Sequence, residues 1–369
     1  MQEEKLHQIA LMRAPGIGST NIKNLISYCG SAKNVHASTK GKLAKIPGVG
    51  LITANAVLSN INLSAAEQEL ENVAKNNAQL LFYTDKEYPD RLKQIMDAPP
   101  LLYVSGKGNI DTPKMVAIVG TRKATNYGKG MVSELIQGLK QHNTTIVSGL
   151  AYGIDIHAHK EALKNNLPTI GVMASGLDII YPAVHKSVAM DMKENGALVS
   201  ENAFGTKPDA PRFPARNRII AGMVDVVIVV EAAIKGGALI TAEIANSYNK
   251  DVFAIPGSIG ESHSEGCNRL IKANKAHLLE KVKDIEYIMN WDVENAITTS
   301  KQPPIDFNTL SIQEKSIVAL FADNKNELLV DDISWRSQIS ISEIAALLLQ
   351  LEFKGIIKSL PGKKYKLNF

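Results

Sequence analysis

The sequence predicts an α/β fold with a central, doubly wound sheet, a helical domain before it and a small mixed domain after it. Three observations carry this prediction. Short β-rich runs alternate with helical patterns through the middle of the chain, a Pro-Gly-apolar-Gly sequence occurs twice near its start, and the tail combines helical patterning with two short β segments. At 369 residues the chain is long enough for roughly two to four domains.

Composition excludes several classes of protein. Hydrophobic residues make up 45% and charged residues 21% of the chain, as in ordinary globular proteins. The longest apolar run, Val224–Ile234, is interrupted by two acids and is too short to span a bilayer, so we expect no membrane contact. The sequence begins MQEEKLHQ, without the basic region of a secretory signal, which predicts a cytoplasmic protein. Cys29 and Cys267 are too few for a disulfide framework or a cysteine-rich zinc site, and we expect neither a metal nor a cofactor.

Residues 1–80 are predicted to form a helix-hairpin-helix domain. The segments Ala14–Gly30 and Ile46–Ser59 each read Pro-Gly-apolar-Gly followed by a helical pattern. In such hairpins the glycines allow a tight turn that brings backbone amides and a helix N-terminus against a phosphate, whatever the base sequence. Met1–Leu63 carries seven Lys and Arg residues against two Glu residues, which favours a polyanionic partner. The alternative is a degenerate repeat that serves only packing.

Residues 81–290 are predicted to form a Rossmann-like domain, in which 81–113 are a lead-in segment. Seven β-rich runs alternate with helical stretches, which is typical of a doubly wound parallel sheet with helices on both faces. In this fold ligands bind beyond the carboxyl ends of the strands, so the loops there decide function. The predicted strands are Met115–Val119, Thr145–Val147, Thr169–Ala174, Ala197–Ser200, Val226–Val230, Val252–Ile255 and His277–Leu279.

Residues 291–304 are a polar, proline-bearing linker, and residues 305–369 are predicted to form a winged-helix domain. This tail has a helical pattern followed by two short β segments around Pro361-Gly362. Its second helix, Ile341–Leu351, contains no arginine, which favours protein contact or structural docking over the reading of DNA bases. The end of the tail, Lys354–Phe369, contains five lysines and no acid, and suits a polyanion.

The first loop of the sheet supplies a candidate anion site. Gly120 is followed by Thr121 and Arg122, so neither the dinucleotide fingerprint nor a Walker loop is present. A strand, a glycine and then Thr-Arg at a helix start are suited to hold an anion with backbone amides and one guanidinium.

The second loop, Ser148–His159, is predicted to bind no metal. On a helix Asp155 and His159 share a face, but His157 points roughly 200° away, so the three side chains cannot hold one ion. Gly149 and Gly153 are expected instead to keep the floor of the crevice open for a bulky ligand.

The third loop, residues 205–223, concentrates cations around one aromatic side chain. Guanidinium groups beside a stackable ring are suited to a single-stranded nucleic acid, because cations bind phosphate and a π face stacks on a base. A helix that begins at Pro214 would turn Arg216 toward the crevice and Arg218 outward. The alternative is that Phe213 caps a core and the arginines form salt bridges. The side chains of this candidate site are Lys207, Arg212, Phe213, Arg216 and Arg218.

A fourth loop places Lys235 and Gly236-Gly237 at the start of a helix. Among the loops of the sheet the sequence contains no Ser-His-Asp arrangement with a nucleophile elbow and no motif-placed pair of carboxylates. The sequence therefore predicts a binding protein rather than an enzyme.

Motifs at these loops resemble those of the bacterial DprA family, also called Smf. They occur in family order between residues 114 and 274, and both end domains resemble those of its longer members. The resemblance implies a cytoplasmic, non-enzymatic protein that binds single-stranded DNA and, as a homodimer, loads the RecA recombinase during natural transformation. The motifs are VAIVGTR, SGLAYGID, GLDIIYP, FPARNRIIAG, GGALITA, FAIPG and GCNRLI.

The resemblance also implies binding residues, position by position. The family's glycine-Ser/Thr-Arg anion loop is matched by Gly120, Thr121 and Arg122, and its second loop by Ser148 and Gly149. Its basic segment is matched by Phe213, Arg216, Asn217 and Arg218. The predicted DNA-binding set is completed by Lys207, Arg212, Lys235, Gly236 and Gly237.

One segment resembles a different Rossmann-like group and offers an enzyme as the alternative. The lysine decarboxylase-like nucleoside monophosphate phosphoribohydrolases carry the signature GGxGTxxE. Gly236, Gly237, Thr241 and Glu243 fit it loosely, with the signature's second glycine missing and the catalytic acid displaced by one position. Release of a free base from a nucleoside monophosphate would separate the two classes.

Overall fold

The computed structural model describes residues 2–291, 310–322, 328–360 and 364–367. The chain divides into two compact units, Met1–Trp291 and Asp292–Phe369. The predicted linker from residue 292 onward and the predicted turn at Pro361-Gly362 lie outside the described residues. Among the helices that are described, none has both the length and the apolar character needed to cross a membrane.

Two glycine hairpins organise the N-terminal helices. Gly16 and Gly48 adopt φ of +73° and +80°, which a residue with a Cβ rarely adopts. The hairpins contact each other, since the Asn24 side-chain amide donates to the carbonyl of Pro47 at 3.1 Å. The helices are α1 (Gln2–Met12), α2 (Ser19–Cys29), α3 (Ala32–Ala37), α4 (Lys40–Leu43), α5 (Leu51–Ser59) and α6 (Leu63–Lys75).

A nine-stranded sheet forms the centre of the first unit, in the order β1-β2-β6-β5-β4-β3-β7-β8-β9. Strands β3 to β9 pair in parallel, and every one of the seven predicted runs forms a strand. The chain order reverses beside β3, which is where a doubly wound sheet opens a crevice. The strands are β1 (Gln79–Phe82), β2 (Leu101–Ser105), β3 (Met115–Gly120), β4 (Thr145–Ser148), β5 (Thr169–Val172), β6 (Ala197–Ser200), β7 (Val226–Val230), β8 (Asp251–Ala254) and β9 (His277–Leu278).

The lead-in segment adds two strands that the sequence analysis did not assign. β1 and β2 pair antiparallel with each other, and β2 pairs antiparallel with β6. Phe82 and Tyr103 pack on the N-terminal helices, whereas Leu81 and Leu102 pack into the core of the sheet. The helical domain therefore covers one edge of the sheet and shares a core with it.

Helices cover both faces of the sheet. Met115, Ala117 and Val119 of β3 belong to one core, and Val116 and Ile118 belong to the other, as the twofold periodicity of a strand requires. These helices are α7 (Asp90–Lys93), α8 (Asn126–Leu139), α9 (Ile154–Lys164), α10 (Lys186–Asn195), α11 (Arg212–Met223), α12 (Gly237–Ser247), α13 (Glu265–Lys272) and α14 (Val282–Met289).

The second unit has the helices and antiparallel strands expected of a winged-helix domain. Its sheet has the order β10-β12-β11, and Ile317, Ile333 and Leu348 lie in its core. The described elements are α15 (Ile312–Ala322), β10 (Leu328–Leu329), α16 (Val330–Ser337), α17 (Ile341–Phe353), β11 (Ile357–Leu360) and β12 (Lys364–Leu367).

Candidate functional site

A cavity of about 330 Å³ opens beyond the carboxyl ends of β3, β4 and β7. It lies between the loops that follow these strands and the first turns of α11 and α12, at the crevice that the strand order creates. We call it the central cavity. Eight of the predicted site residues line it, namely Gly120, Thr121, Arg122, Phe213, Arg216, Asn217, Gly236 and Gly237.

A cation and two aromatic rings contact one another at the central cavity, which Arg122 and Phe213 line and which Tyr181 adjoins through Phe213. The Arg122 guanidinium lies over the Phe213 ring, with Cζ 5.5 Å from the ring centroid. The Tyr181 ring contacts Phe213, with the two centroids 5.9 Å apart and the planes tilted by 57°. Arg122 is exposed and Tyr181 is half exposed, so both can reach a ligand.

The first loop differs from its prediction. The Thr121 amide donates to the Glu231 carbonyl at 2.7 Å, and the Thr121 hydroxyl accepts from the Lys123 amide. α8 begins only at Asn126, so Arg122 does not stand at a helix start. The amide of Thr121 is therefore used within the fold, and the guanidinium of Arg122 is what this loop offers an anion.

Two carboxylates of the chain accept hydrogen bonds from backbone amides in loops where a doubly wound fold often binds phosphate. Thr125 caps the N-terminus of α8, since its hydroxyl oxygen accepts from the Gly128 amide at 3.3 Å, and the Glu231 carboxylate accepts in turn from the amide of Thr125 at 2.9 Å and from its hydroxyl. The Asp155 carboxylate accepts from the amides of Gly149 and Ala151 at 3.2 and 3.4 Å. Burial raises the pKa of Asp155, while the positive charge of Arg216 opposes that shift.

The N-terminus of α12 has no such cap. Gly236 is the N-cap residue, and among the described residues no side chain bonds to the amides of the first turn. Gly236 and Gly237 line the central cavity, and they confirm the prediction that this glycine pair opens a helix. The cavity therefore combines a helix N-terminus with the exposed guanidinium of Arg122, and both attract anions.

Arg216 lines the floor of the central cavity, but its guanidinium is buried and bonded within the fold. The residue is 5% exposed, and its Nη1 donates to the carbonyls of Gly149, at 2.6 Å, and of Val172. Burial lowers the pKa of Arg216 to about 10. A Cβ on Gly149 would stand 2.5 Å from the Arg216 Cζ. Gly149 therefore makes room for an internal cation, not for a bulky ligand as predicted, and Ser148 is buried with its hydroxyl bonded to the Ile118 carbonyl.

The remaining basic residues of the third loop do not line the central cavity. α11 begins at Arg212, two residues before the predicted start. Pro214 therefore lies inside the first turn of the helix instead of opening it. Arg218 donates to the Asp97 carbonyl and pairs with Glu201, which is the salt-bridge alternative for this residue. Arg212 is exposed and donates to the Asn202 side chain at 3.1 Å, and Lys207 is exposed.

The predicted sides of α11 are confirmed in part. Arg216 is buried on the side of the apolar stripe, as predicted, but Arg218 does not point outward, since its side chain is 14% exposed and is bonded to Asp97 and Glu201. Lys235 lies in a neighbouring hollow of about 580 Å³, on the other side of the α12 N-terminus.

The acid of the hydrolase alternative does not face the central cavity. Thr241 lines the cavity, but Glu243 lines the neighbouring hollow and its carboxylate pairs with Lys275 at 2.8 and 2.9 Å. Asp155, which does line the cavity, is held by the two amides and by the charge of Arg216. Of the two described carboxylates, Glu243 is thus turned away from the cavity and Asp155 is bonded within the fold.

The histidines of the second loop are separated, as predicted. His157 contacts the Ser133 hydroxyl and the Lys129 carbonyl, whereas His159 is buried and contacts the Thr169 hydroxyl. Over the described ranges of the chain, no group of three His, Cys, Asp or Glu side chains is placed to hold a metal ion.

Two residues near this site were missed by sequence reasoning. Tyr181 follows the strand β5 within the motif GLDIIYP, and an aromatic residue in a loop at this edge of the sheet is a usable signal. Glu231 directly follows β7 with φ of +54°, lines a separate hollow beside Thr125, and reaches that residue, 106 positions earlier. Nothing in the local sequence indicates that contact.

Comparison with known proteins agrees with the fold and the motifs. The family model for DNA recombination-mediator protein A matches residues 79–290, and the DprA winged helix domain matches residues 308–363. Protein Smf of Synechocystis sp. is 32% identical over an alignment that covers 98% of each chain.

Two solved structures resemble this one. The X-ray structure of DNA processing protein A from Streptococcus pneumoniae has a TM-score of 0.67 at 35% identity, covering 76% of this chain and 96% of that one. A structure of DNA processing protein A from Helicobacter pylori, described by its single-stranded DNA binding mode, has a TM-score of 0.53 at 32% identity, covering 58% and 96%. The chain therefore belongs to the DNA recombination-mediator protein A family.

Proposed function

We propose that this protein binds single-stranded DNA at the central cavity, with little preference for sequence. The observation that carries the proposal is the contact of Arg122 with Phe213 beside the uncapped N-terminus of α12. A guanidinium and helix amides attract phosphate, and an aromatic ring stacks on any base. The related H. pylori protein, whose structure is described by its single-stranded DNA binding mode, supports the same ligand class.

Twelve of the fourteen predicted DNA-binding residues fall into three groups within this proposal. Arg122, Phe213, Asn217, Gly236 and Gly237 contact the strand in the cavity, whereas Lys207, Arg212 and Lys235 are exposed cations that meet its phosphates outside. Arg216, Arg218, Ser148 and Gly149 act by holding the walls of the site.

The family resemblance extends the proposal to partners. The protein acts in the cytoplasm as a homodimer, without an enzymatic step, and delivers the strand to the RecA recombinase during natural transformation. The family description as a recombination mediator supports this role. RecA filament assembly on single strands coated with single-strand binding protein, measured with and without this protein, tests it. An unchanged assembly rate would contradict delivery.

The binding proposal is tested by fluorescence anisotropy with a single strand and a duplex of the same length at two salt concentrations. We expect tighter binding of the single strand and a steep loss of affinity as salt rises. Equal affinity for the two forms would refute the proposal. Phe213→Ala should weaken binding, and Lys164→Ala, which removes an exposed cation at the end of α9, is the control.

A further inference from the structure

Tyr181 presents the more open ring of the aromatic pair at the central cavity. It is 49% exposed, whereas the Phe213 ring is half buried, lies under the Arg122 guanidinium and contacts Tyr181. A tilted pair whose centroids are 5.9 Å apart is in direct contact, so no base fits between the two rings. A base can therefore stack on only one of the two rings at a time, and each ring would take a different base.

The loop that carries Tyr181 is held by its backbone. The buried Ser175 hydroxyl donates to the Ile179 carbonyl at 2.7 Å, and the Ile179 amide donates to the Gly176 carbonyl. Across the described part of the chain the structure gives the Tyr181 hydroxyl no hydrogen-bond partner. The ring thus lies beside Phe213 without a polar contact that would explain its position.

We propose that Tyr181 is a second base-stacking position, so that the site takes at least two consecutive nucleotides. This inference rests on the proposed binding of single-stranded DNA. The base of one nucleotide stacks at Phe213 inside the cavity, and the base of the next stacks on the exposed face of Tyr181 beside it. Stacking of this kind is insensitive to base identity, since every base has a π face.

The competing explanation is that Tyr181 only holds Phe213 in place. The two roles differ in which side chains can substitute. A stacking position requires an aromatic ring and no hydroxyl, so Tyr181→Phe should retain the affinity of the wild type. Tyr181→Leu keeps an apolar contact with Phe213 but removes the ring. Its affinity for the single strand should therefore fall by about 10-fold relative to the wild type, as should that of Tyr181→Ala.

The direct test is a scan with oligothymidylates that carry one abasic nucleotide at successive positions. The wild type should lose affinity when either of two adjacent bases is missing. Tyr181→Ala should lose its sensitivity at one of these positions and keep it at the other. Tyr287→Ala, which removes an 86% exposed ring from α14, is the matched control and should bind like the wild type.

The outcomes separate this inference from the proposed function. If the wild type does not bind single strands, both fail. If the wild type binds and Phe213→Ala weakens binding, but Tyr181→Ala binds as the wild type does, the second stacking position is refuted. If Tyr181→Ala weakens binding yet stays sensitive to both abasic positions, Tyr181 is a positioning residue and the inference is also refuted. Thermal unfolding of each variant establishes that it is folded, and Tyr181→Leu carries the test if Tyr181→Ala is not.

Discussion

Gly149 leaves the space in which the guanidinium of Arg216 lies. A Cβ on this glycine would meet Cζ and both terminal nitrogens of the arginine, and the arginine is held in turn by the carbonyls of Gly149 and Val172. The pair therefore joins the end of β4, the end of β5 and α11 at the floor of the central cavity. Two motifs that lie far apart in the sequence are one structural element.

The first prediction is that Gly149→Ala destabilises the protein. The guanidinium is fixed by two carbonyls and cannot move aside, so we expect a loss of about 1–3 kcal/mol in the free energy of unfolding, as for other overpacked sites. Urea denaturation measures it. Gly130→Ala is the control, because its Cβ would meet nothing within 4 Å and alanine favours the helix. Equal stability of Gly149→Ala and the wild type would show that Arg216 can leave its place.

The second prediction separates the arginines by what each variant loses. Arg122→Ala should weaken single-strand binding by about 1–3 kcal/mol at unchanged stability, because the side chain is exposed. Arg216→Ala should lower the free energy of unfolding by about 1–3 kcal/mol for each of the two buried carbonyls, Gly149 and Val172, that lose their donor. Anisotropy and thermal unfolding are measured on both variants. A folded Arg216→Ala protein that loses affinity more than Arg122→Ala would place Arg216 in contact with the strand.

The third prediction concerns pH. Burial, followed by the positive charge of Arg216, lowers the pKa of His159 to about 3, from 6.5. Between these values the unfolded chain binds a proton that the folded protein does not, so stability falls as pH drops below about 6.5, by up to about 1.4 kcal/mol per pH unit. Stability at neutral pH is unaffected by this group.

Urea denaturation of the wild type and His159→Gln at pH 7 and pH 5 measures this effect. The stability of the variant should fall less between the two values, because glutamine does not titrate. His263→Gln, in the loop after β8, should retain the dependence of the wild type. Parallel curves for the wild type and His159→Gln would contradict the low pKa of His159.

The fourth prediction concerns the N-terminal hairpins. If they bind the same strand as the central cavity, the double reversal Lys42→Glu with Lys45→Glu should weaken binding of long oligonucleotides more than of short ones, since a second contact needs length to engage. Both lysines are exposed near the second hairpin. Removal of the whole domain is a poorer test, because it would uncover Phe82 and Tyr103.

The matched control for the hairpins is Lys160→Glu with Lys164→Glu on α9, which changes the net charge equally at exposed positions. It should affect long and short oligonucleotides alike. An equal loss for both lengths in the hairpin variant would mean that the hairpins serve only packing.

The parallel strands could be predicted because a strand buried on both faces appears in the sequence as an uninterrupted apolar run bounded by turns. β1 and β2 could not, because they are short, lie in a proline-containing segment and gain their stability from helices of another domain. The same limit applies inside the site. The side of α11 on which Arg216 lies follows from the helical rotation of about 100° per residue. Its hydrogen bonds do not, because they depend on carbonyls of β4 and β5 that only the sheet brings together.

Glu231 supplies the N-terminus of α8 with a negative charge from inside the chain. Its carboxylate accepts from the amide and the hydroxyl of Thr125, so these two donors are not open to the phosphate of a free nucleotide. A polymer gains from many weak contacts what a single metabolite cannot gain from one. Occupancy of the site should thus be governed by the length of the strand offered to it and should be largely insensitive to the cell's nucleotide pool.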